Sequence, residues 1–248
     1  MGEAPISAAD QGDLAHELAR IQAAVDRGET DLKALGFWRV VGRVKRDPAL
    51  VERFADQIGR IDREAFETGV RLRFPVWFGN AVLLAGLLIG GAGLVVARRA
   101  SSEAVAGVAL LVSSGAFAVG VHDLAHWVVG RAVGMRFTAY FMKMWPPPPR
   151  PGIKTDYASY LRTPPSRRAL MHAAGALASK VGGFVPLFFW PLTNAPVWAA
   201  IAVAVFAFGT VLTDVLWSVR SSDWKRVRRE LRVARAYTGN AGSSGQPG

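Results

Sequence analysis

Apolar residues along this chain first recur at helical spacing and then run together almost without interruption. Leu14, Leu18, Ile21 and Val25 form one stripe within residues 12–27. Val51, Phe54, Ile58, Ile61 and Ala65 form a second within 48–69, opened by Pro48 near a helix start. Residues 76–97, 104–130, 169–192 and 196–219 are four long apolar blocks, each near the ~20 residues that cross a bilayer. After the second block, "MRFTAYFMK" has the alternation and aromatic content of a strand, and "WPPPPRP" then imposes a polyproline stretch. The pattern predicts an all-α polytopic membrane protein with about four transmembrane helices and a short strand-like cytoplasmic segment between the second and third.

The blocks divide the chain. Residues 1–75 form a cytoplasmic amphipathic helical region, a packing module that pairs as a hairpin or lies on the membrane. His16 belongs there, exposed and without a role. Residues 76–219 form the transmembrane core, whose first span holds Gly86 and Gly90 at a spacing that permits close helix packing. Residues 220–238 set Trp224, Val227, Leu231 and Ala234 on one face of a basic interfacial helix. Residues 239–248, "GNAGSSGQPG", form a disordered tail.

Charge fixes an orientation and removes one class of partner. The net charge is +11, but residues 1–75 hold 12 basic and 13 acidic side chains, so the surplus lies beside the spans. Arg71 and Arg73, the run from Arg131 to Arg168, and the run from Arg220 to Arg235 fall on one side if both termini are cytoplasmic, despite Arg98 and Arg99 on the other. The basic excess is therefore a topology signal and a lipid-headgroup contact, and no nucleic-acid site is expected. The chain has no cysteine, which excludes disulfides and thiolate metal sites. No signal peptide opens it, and targeting falls to the first span.

Titratable side chains inside spans cost at least ~2.5–3.5 kcal/mol each at the bilayer centre and are functional candidates. Here they are His122, Asp123, His126, Lys180 and Asp214, with His172 near the start of the third span. Counted from Arg131 and Arg220, His126 and Asp214 both lie roughly 8–9 Å below the basic boundary. His122 shares a helix face with His126 because they are four apart. The histidines either pair with their neighbours or, with one carboxylate, make a zinc set of two imidazoles and an aspartate that leaves a fourth position for water. An acid beside the first histidine is the general-base position of the H-E-x-x-H pattern, and here it is Asp123. Lys180 either stabilises an oxyanion or pairs with Asp214 or Asp123. His172 reads as an interface residue.

The run "HDLAHWVVGRAVGMRF" resembles the H-E-x-G-H-x-x-x-A-x-x-x-G motif of the site-2 protease family, the intramembrane zinc metalloproteases. "MHAAGALAS" resembles that family's A-G-P-x-A-N segment, and "LTDVLWSVRSSDW" occupies the place of the span that supplies its third ligand. The resemblance covers about residues 76–230. It implies zinc held by His122, His126 and Asp214, with Asp123 in place of the catalytic Glu and Asp223 as the alternative third ligand. Three positions depart from the family pattern. Asp123 is one methylene short, the L-D-G ligand motif is absent, and Ala176 and Ser179 replace Pro and Asn ahead of Lys180.

The implied activity is hydrolysis of peptide bonds in membrane or membrane-proximal proteins near the cytoplasmic face of a prokaryotic cell membrane. Residues 136–144 would offer the strand edge on which the substrate lies. A degenerate relative that binds or regulates a membrane partner, and a proton or ion carrier, are the other readings. Homo-oligomerisation stays open.

Overall fold

The computed structural model describes residues 8–144, 150–216 and 223–243, and most of these are helical. The chain gathers into two compact units. One contains residues 1–74, 133–168 and 229–248, and the other 75–132 and 169–228.

The first unit begins with helices α1 (Ala8–Asp26), α2 (Phe37–Val44) and α3 (Pro48–Gly69). The expected stripes of α1 and α3 face each other, and Leu14, Leu18, Ile21, Phe54, Ile58 and Ile61 are buried in one core with Phe37 and Val40 of α2. Asp47 caps α3 by accepting from the Ala49 N–H at 2.8 Å, with Pro48 pre-set for the first turn. Strands β1 (Leu72–Phe74), β2 (Phe137–Lys143) and β3 (Arg150–Thr155) form an antiparallel sheet in the order β1-β2-β3. Helix α6 (Tyr157–Arg162) follows β3.

The strand expected at 136–144 is β2, but it is not an edge. It pairs with β1 through Leu72↔Met142 and with β3 through Lys143↔Arg150, so both its sides are taken. The open edges of the described sheet are those of β1 and β3. The polyproline stretch at 145–149 lies outside the described residues.

The second unit holds α4 (Val76–Arg99), α5 (Glu103–Ala132), most of α7 (Pro165–Phe189) and α8 (Val197–Leu216). Three helical stretches are long and apolar enough to cross a membrane: Val76–Arg99, Glu103–Ala132 and Pro165–Leu192. The fourth apolar run, Val197–Thr213, is shorter, so the expected count of four is met only as three plus one short apolar helix. Trp77, Leu88, Phe188 and Val205 are each 68–79 % exposed, an outward surface suited to hydrocarbon rather than water. Helix α4 meets α5 through Gly90, against the Phe117 ring, and Gly93, against Ser113, whereas Gly86 faces open space. Ser113 Oγ donates to the Gly90 carbonyl at 2.8 Å, which satisfies a hydroxyl where water is scarce. At the far end of the hairpin, Asn194 donates to the carbonyls of Ala97, Arg98 and Ala100 at 2.9–3.1 Å. The loops near 98–103 and 192–196 therefore lie together. Gly134, at φ 94°, ends the run of α5 with a backbone conformation that a side chain would oppose.

Helix α9 (Asp223–Ser243) runs beyond residue 238 into the segment expected to be a disordered tail, and Tyr237 near that end donates to the Lys45 carbonyl at 2.9 Å. Its buried positions are Val227 and Glu230, whereas Leu231, assigned to the apolar face, is exposed. Glu230 anchors a charge cluster. Glu230 is fully buried and meets Lys45 Nζ at 2.7 Å, Arg168 Nε at 2.8 Å and the Tyr160 hydroxyl at 2.9 Å. Arg168, also fully buried, donates to the Leu161 carbonyl at 3.1 Å. Two distant stretches of sequence, at Lys45 and at Tyr160–Arg168, thus converge on the carboxylate of a third.

Removing one partner of a buried ion cluster strands the others, typically at about 3–5 kcal/mol. Glu230→Ala is expected to lose that much, measured by denaturant unfolding of the whole chain in detergent. Burial pushes the Glu230 carboxyl up, but Lys45 and Arg168 outweigh it and hold the group below its ordinary 4.5. Its stabilisation is complete above that value and is lost as pH falls through the lowered one. Burial pushes Lys45 down to about 8, against the pull of Glu230 and with the push of Arg168. Between about pH 8 and 10.5 the unfolded chain therefore holds the extra proton, and this group makes stability rise with pH. Lys45→Met should abolish that alkaline rise and also shrink the acid loss, because Lys45 is the leading partner that lowers the Glu230 carboxyl.

Candidate metal centre

Helix α5 places His122 and His126 one turn apart, with ring centroids 4.8 Å apart and planes nearly perpendicular. A neutral imidazole has one N–H, and buried away from water that donor must find an acceptor. Helix α7 supplies the acceptors. His126 Nδ1 lies 2.8 Å from the Met171 carbonyl, and His122 Nδ1 lies 3.0 Å from the Gly175 carbonyl and 3.3 Å from Ser179 Oγ. A carbonyl can only accept, so each Nδ1 carries a proton, and in the neutral imidazole each Nε2 then presents a lone pair. Met171, Gly175 and Ser179 recur every four residues, a stripe on α7 that matches the four-residue step on α5.

Both Nε2 atoms face one carboxylate oxygen. Asp223 Oδ2 stands 3.3 Å from His126 Nε2 and 3.5 Å from His122 Nε2. Donors held at ~2.0–2.2 Å from one tetrahedral cation stand roughly 3.3–3.5 Å apart, and both Asp223–histidine distances have that spacing. Asp223 is the first residue of α9, where the helix end favours a negative charge. Its other oxygen is engaged by Arg226 Nη1 at 3.3 Å, with His172 Nδ1 at 3.9 Å. The Nδ1–carbonyl bonds are the outer partners that orient histidine ligands. The donor set, two imidazoles and a carboxylate, suits zinc.

The half-buried Asp123 sits beside His122, and its carboxylate and the histidine donor atoms all lie within 4.8 Å of one another. Two acids therefore stand near the histidines: Asp123, and Asp223, the alternative ligand of the sequence reading, at 3.3–3.5 Å. Asp214 lies in α8 with its side chain outside the described residues. Lys180, the residue after Ser179, lines an apolar cleft with Phe184, Val185 and Phe188. His172 is buried next to Asp223, closer to the centre than an interface residue would be.

Gly175 was not singled out by sequence, yet it determines whether α7 can approach. A Cβ there would fall against His126 Nε2, inside the ring's own volume. The signal was present in the small residues at 173–176, but only the packed structure says which one must lack a side chain.

Gly175→Ala should push the His126 ring off its carbonyl. Losses of 10–100-fold in metal affinity are typical when outer partners are disturbed, and a drop in that range is expected for Co2+, followed by its visible absorption. Asp223→Asn should lower bound metal in the purified chain, and Asp214→Asn should not. The opposite result would transfer the third ligand to α8.

Comparison with protein-family models, with characterised proteins and with solved structures finds no match for this chain.

Proposed function

We propose that this chain is an intramembrane zinc metalloprotease of the site-2 protease kind, which hydrolyses peptide bonds of membrane or membrane-proximal proteins near the cytoplasmic face. The observation that carries the reading is the approach of Asp223 Oδ2 to both histidine Nε2 atoms, while each Nδ1 is committed to an α7 carbonyl. That arrangement leaves three lone-pair donors aimed at one point in a water-poor unit.

Zinc bound there would supply a Lewis acid that makes water a nucleophile at neutral pH and polarises the scissile carbonyl. His122, His126 and Asp223 would hold the ion. Met171, Gly175 and Ser179 hold a proton on each Nδ1, so that Nε2 is the atom turned to the ion. Asp123 takes the proton from the attacking water and hands it to the departing amine nitrogen. The missing methylene of Asp123, about 1.5 Å, makes the direct reach longer than a glutamate's, so the expected enzyme is slow. A second reading, a metal-holding relative that binds membrane partners without cutting them, is favoured by that same shortened acid.

The proposal includes α8 as a fourth span, both termini cytoplasmic and residence in a prokaryotic cell membrane. Reporter fusions at Gly248 and near Thr193 should report opposite sides; agreement between them would remove the four-span arrangement.

Asp123→Asn should abolish cleavage of single-span reporter proteins co-reconstituted in liposomes while zinc stays bound, because general-base help is worth 10²–10⁴-fold. Asp123→Glu should preserve or raise the rate. If wild type and both variants hold zinc and cut none of the reporters, the binding reading replaces the enzyme.

A further inference from the structure

The first unit carries a cleft of about 630 Å³ that the metal chemistry does not use. Its volume falls in the range of small-ligand sites, yet its lining is strongly basic. Arg60 and Arg63 come from α3, on the face opposite its core stripe, while Arg136 precedes β2 and Arg162 and Arg167 flank the start of α7. The acids in the lining are Asp56 and Asp156.

Those acids are already engaged. Asp56 receives Arg162 through two parallel hydrogen bonds of 2.8 and 2.7 Å. Asp156 meets Arg63 at 3.2 Å with one oxygen, and its other oxygen accepts from the Ser159 N–H at 3.1 Å. Arg60, Arg136 and Arg167 are left without an ion pair among the described residues. Five arginines against two carboxylates give the lining a formal charge of +3. Like charges converging on one concavity repel unless a counter-charge fills it. Guanidinium groups match phosphate oxygens in both geometry and charge.

The chain also places this cleft. Val133 and Gly134 of its lining directly follow α5, and Pro164 directly precedes α7, both among the helices apolar enough to cross a membrane. At 3.8 Å per residue, these lining residues cannot stray far from the ends of the two helices. Anionic headgroups concentrate at that level and attract juxtamembrane basic groups.

We propose that the cleft is a phosphate-binding site, with Arg60, Arg136 and Arg167 holding the phosphate and the Asp56–Arg162 and Asp156–Arg63 pairs fixing the walls. The phosphate belongs to an anionic phospholipid headgroup or to a free phosphate ester. The assignment is independent of the metal centre.

The test uses the full chain in detergent and counts bound ligands by native mass spectrometry. Phosphatidylglycerol and phosphatidic acid probe the headgroup source, glycerol 3-phosphate and inorganic phosphate the free source, and phosphatidylcholine serves as the neutral reference. Wild type should retain one or more of the anionic ligands over the reference. The R60Q/R136Q/R167Q variant should lose at least tenfold in affinity. A control with the same charge removed elsewhere, R27Q/R39Q/R53Q, should keep wild-type binding. Binding of the lipids alone assigns the site to a headgroup, and competition by glycerol 3-phosphate assigns it to a free ester. Equal loss in both triple variants, or no preference over phosphatidylcholine, overturns the site. An unfolding midpoint measured for each variant separates lost binding from lost fold.

Discussion

An imidazole N–H in a water-poor helix pair must be satisfied by the protein itself, and the rest of the centre depends on how this chain does it. Committing both Nδ1 donors to carbonyls of α7 sets the tautomers of His122 and His126 and turns both Nε2 atoms the same way. It also demands that α7 lie close, which only a residue without a side chain at 175 permits. Both Nε2 atoms then face the Asp223 carboxylate. Each step is imposed by the one before it.

A second constraint operates in the other unit, at Glu230. A buried carboxylate between a lysine and an arginine is not a strong source of net stability compared with well-packed apolar groups. Its value lies in exclusivity. Lys45, Tyr160, Arg168 and Glu230 come from separated stretches of chain, and few alternative arrangements satisfy all four. The apolar stripes of α1 and α3 would tolerate a slip far better.

Much of the architecture is legible in the sequence because its signals are local. The stripes on α1 and α3, the apolar blocks and the strand at 136–144 each follow from periodicity within a dozen or two residues. The histidine pair is legible for the same reason, since four residues on a helix are adjacent in space. What escapes is non-local. Counting depth from Arg220 points to Asp214, whereas the carboxylate found 3.3–3.5 Å from the histidines is that of Asp223, at the head of α9. The occupied edges of β2 escape too, because β1 lies more than sixty residues upstream and is three residues long. A stripe of small residues says that helices approach; it does not say that Gly175 must clear an imidazole while Gly86 clears nothing.

The pairing of β1 with β2 has a consequence for biogenesis. The two strands bracket the α4–α5 hairpin, with Leu72 opposite Met142. The sheet can therefore register only after the ribosome has released the whole hairpin and both of its ends have come to the same side. Until then β1 is three residues of unpaired backbone, and β2 exposes one unprotected ladder. Long-range pairing of this kind is slow compared with helix formation. A hairpin whose ends lay on opposite sides of a membrane would leave the two strands unable to meet.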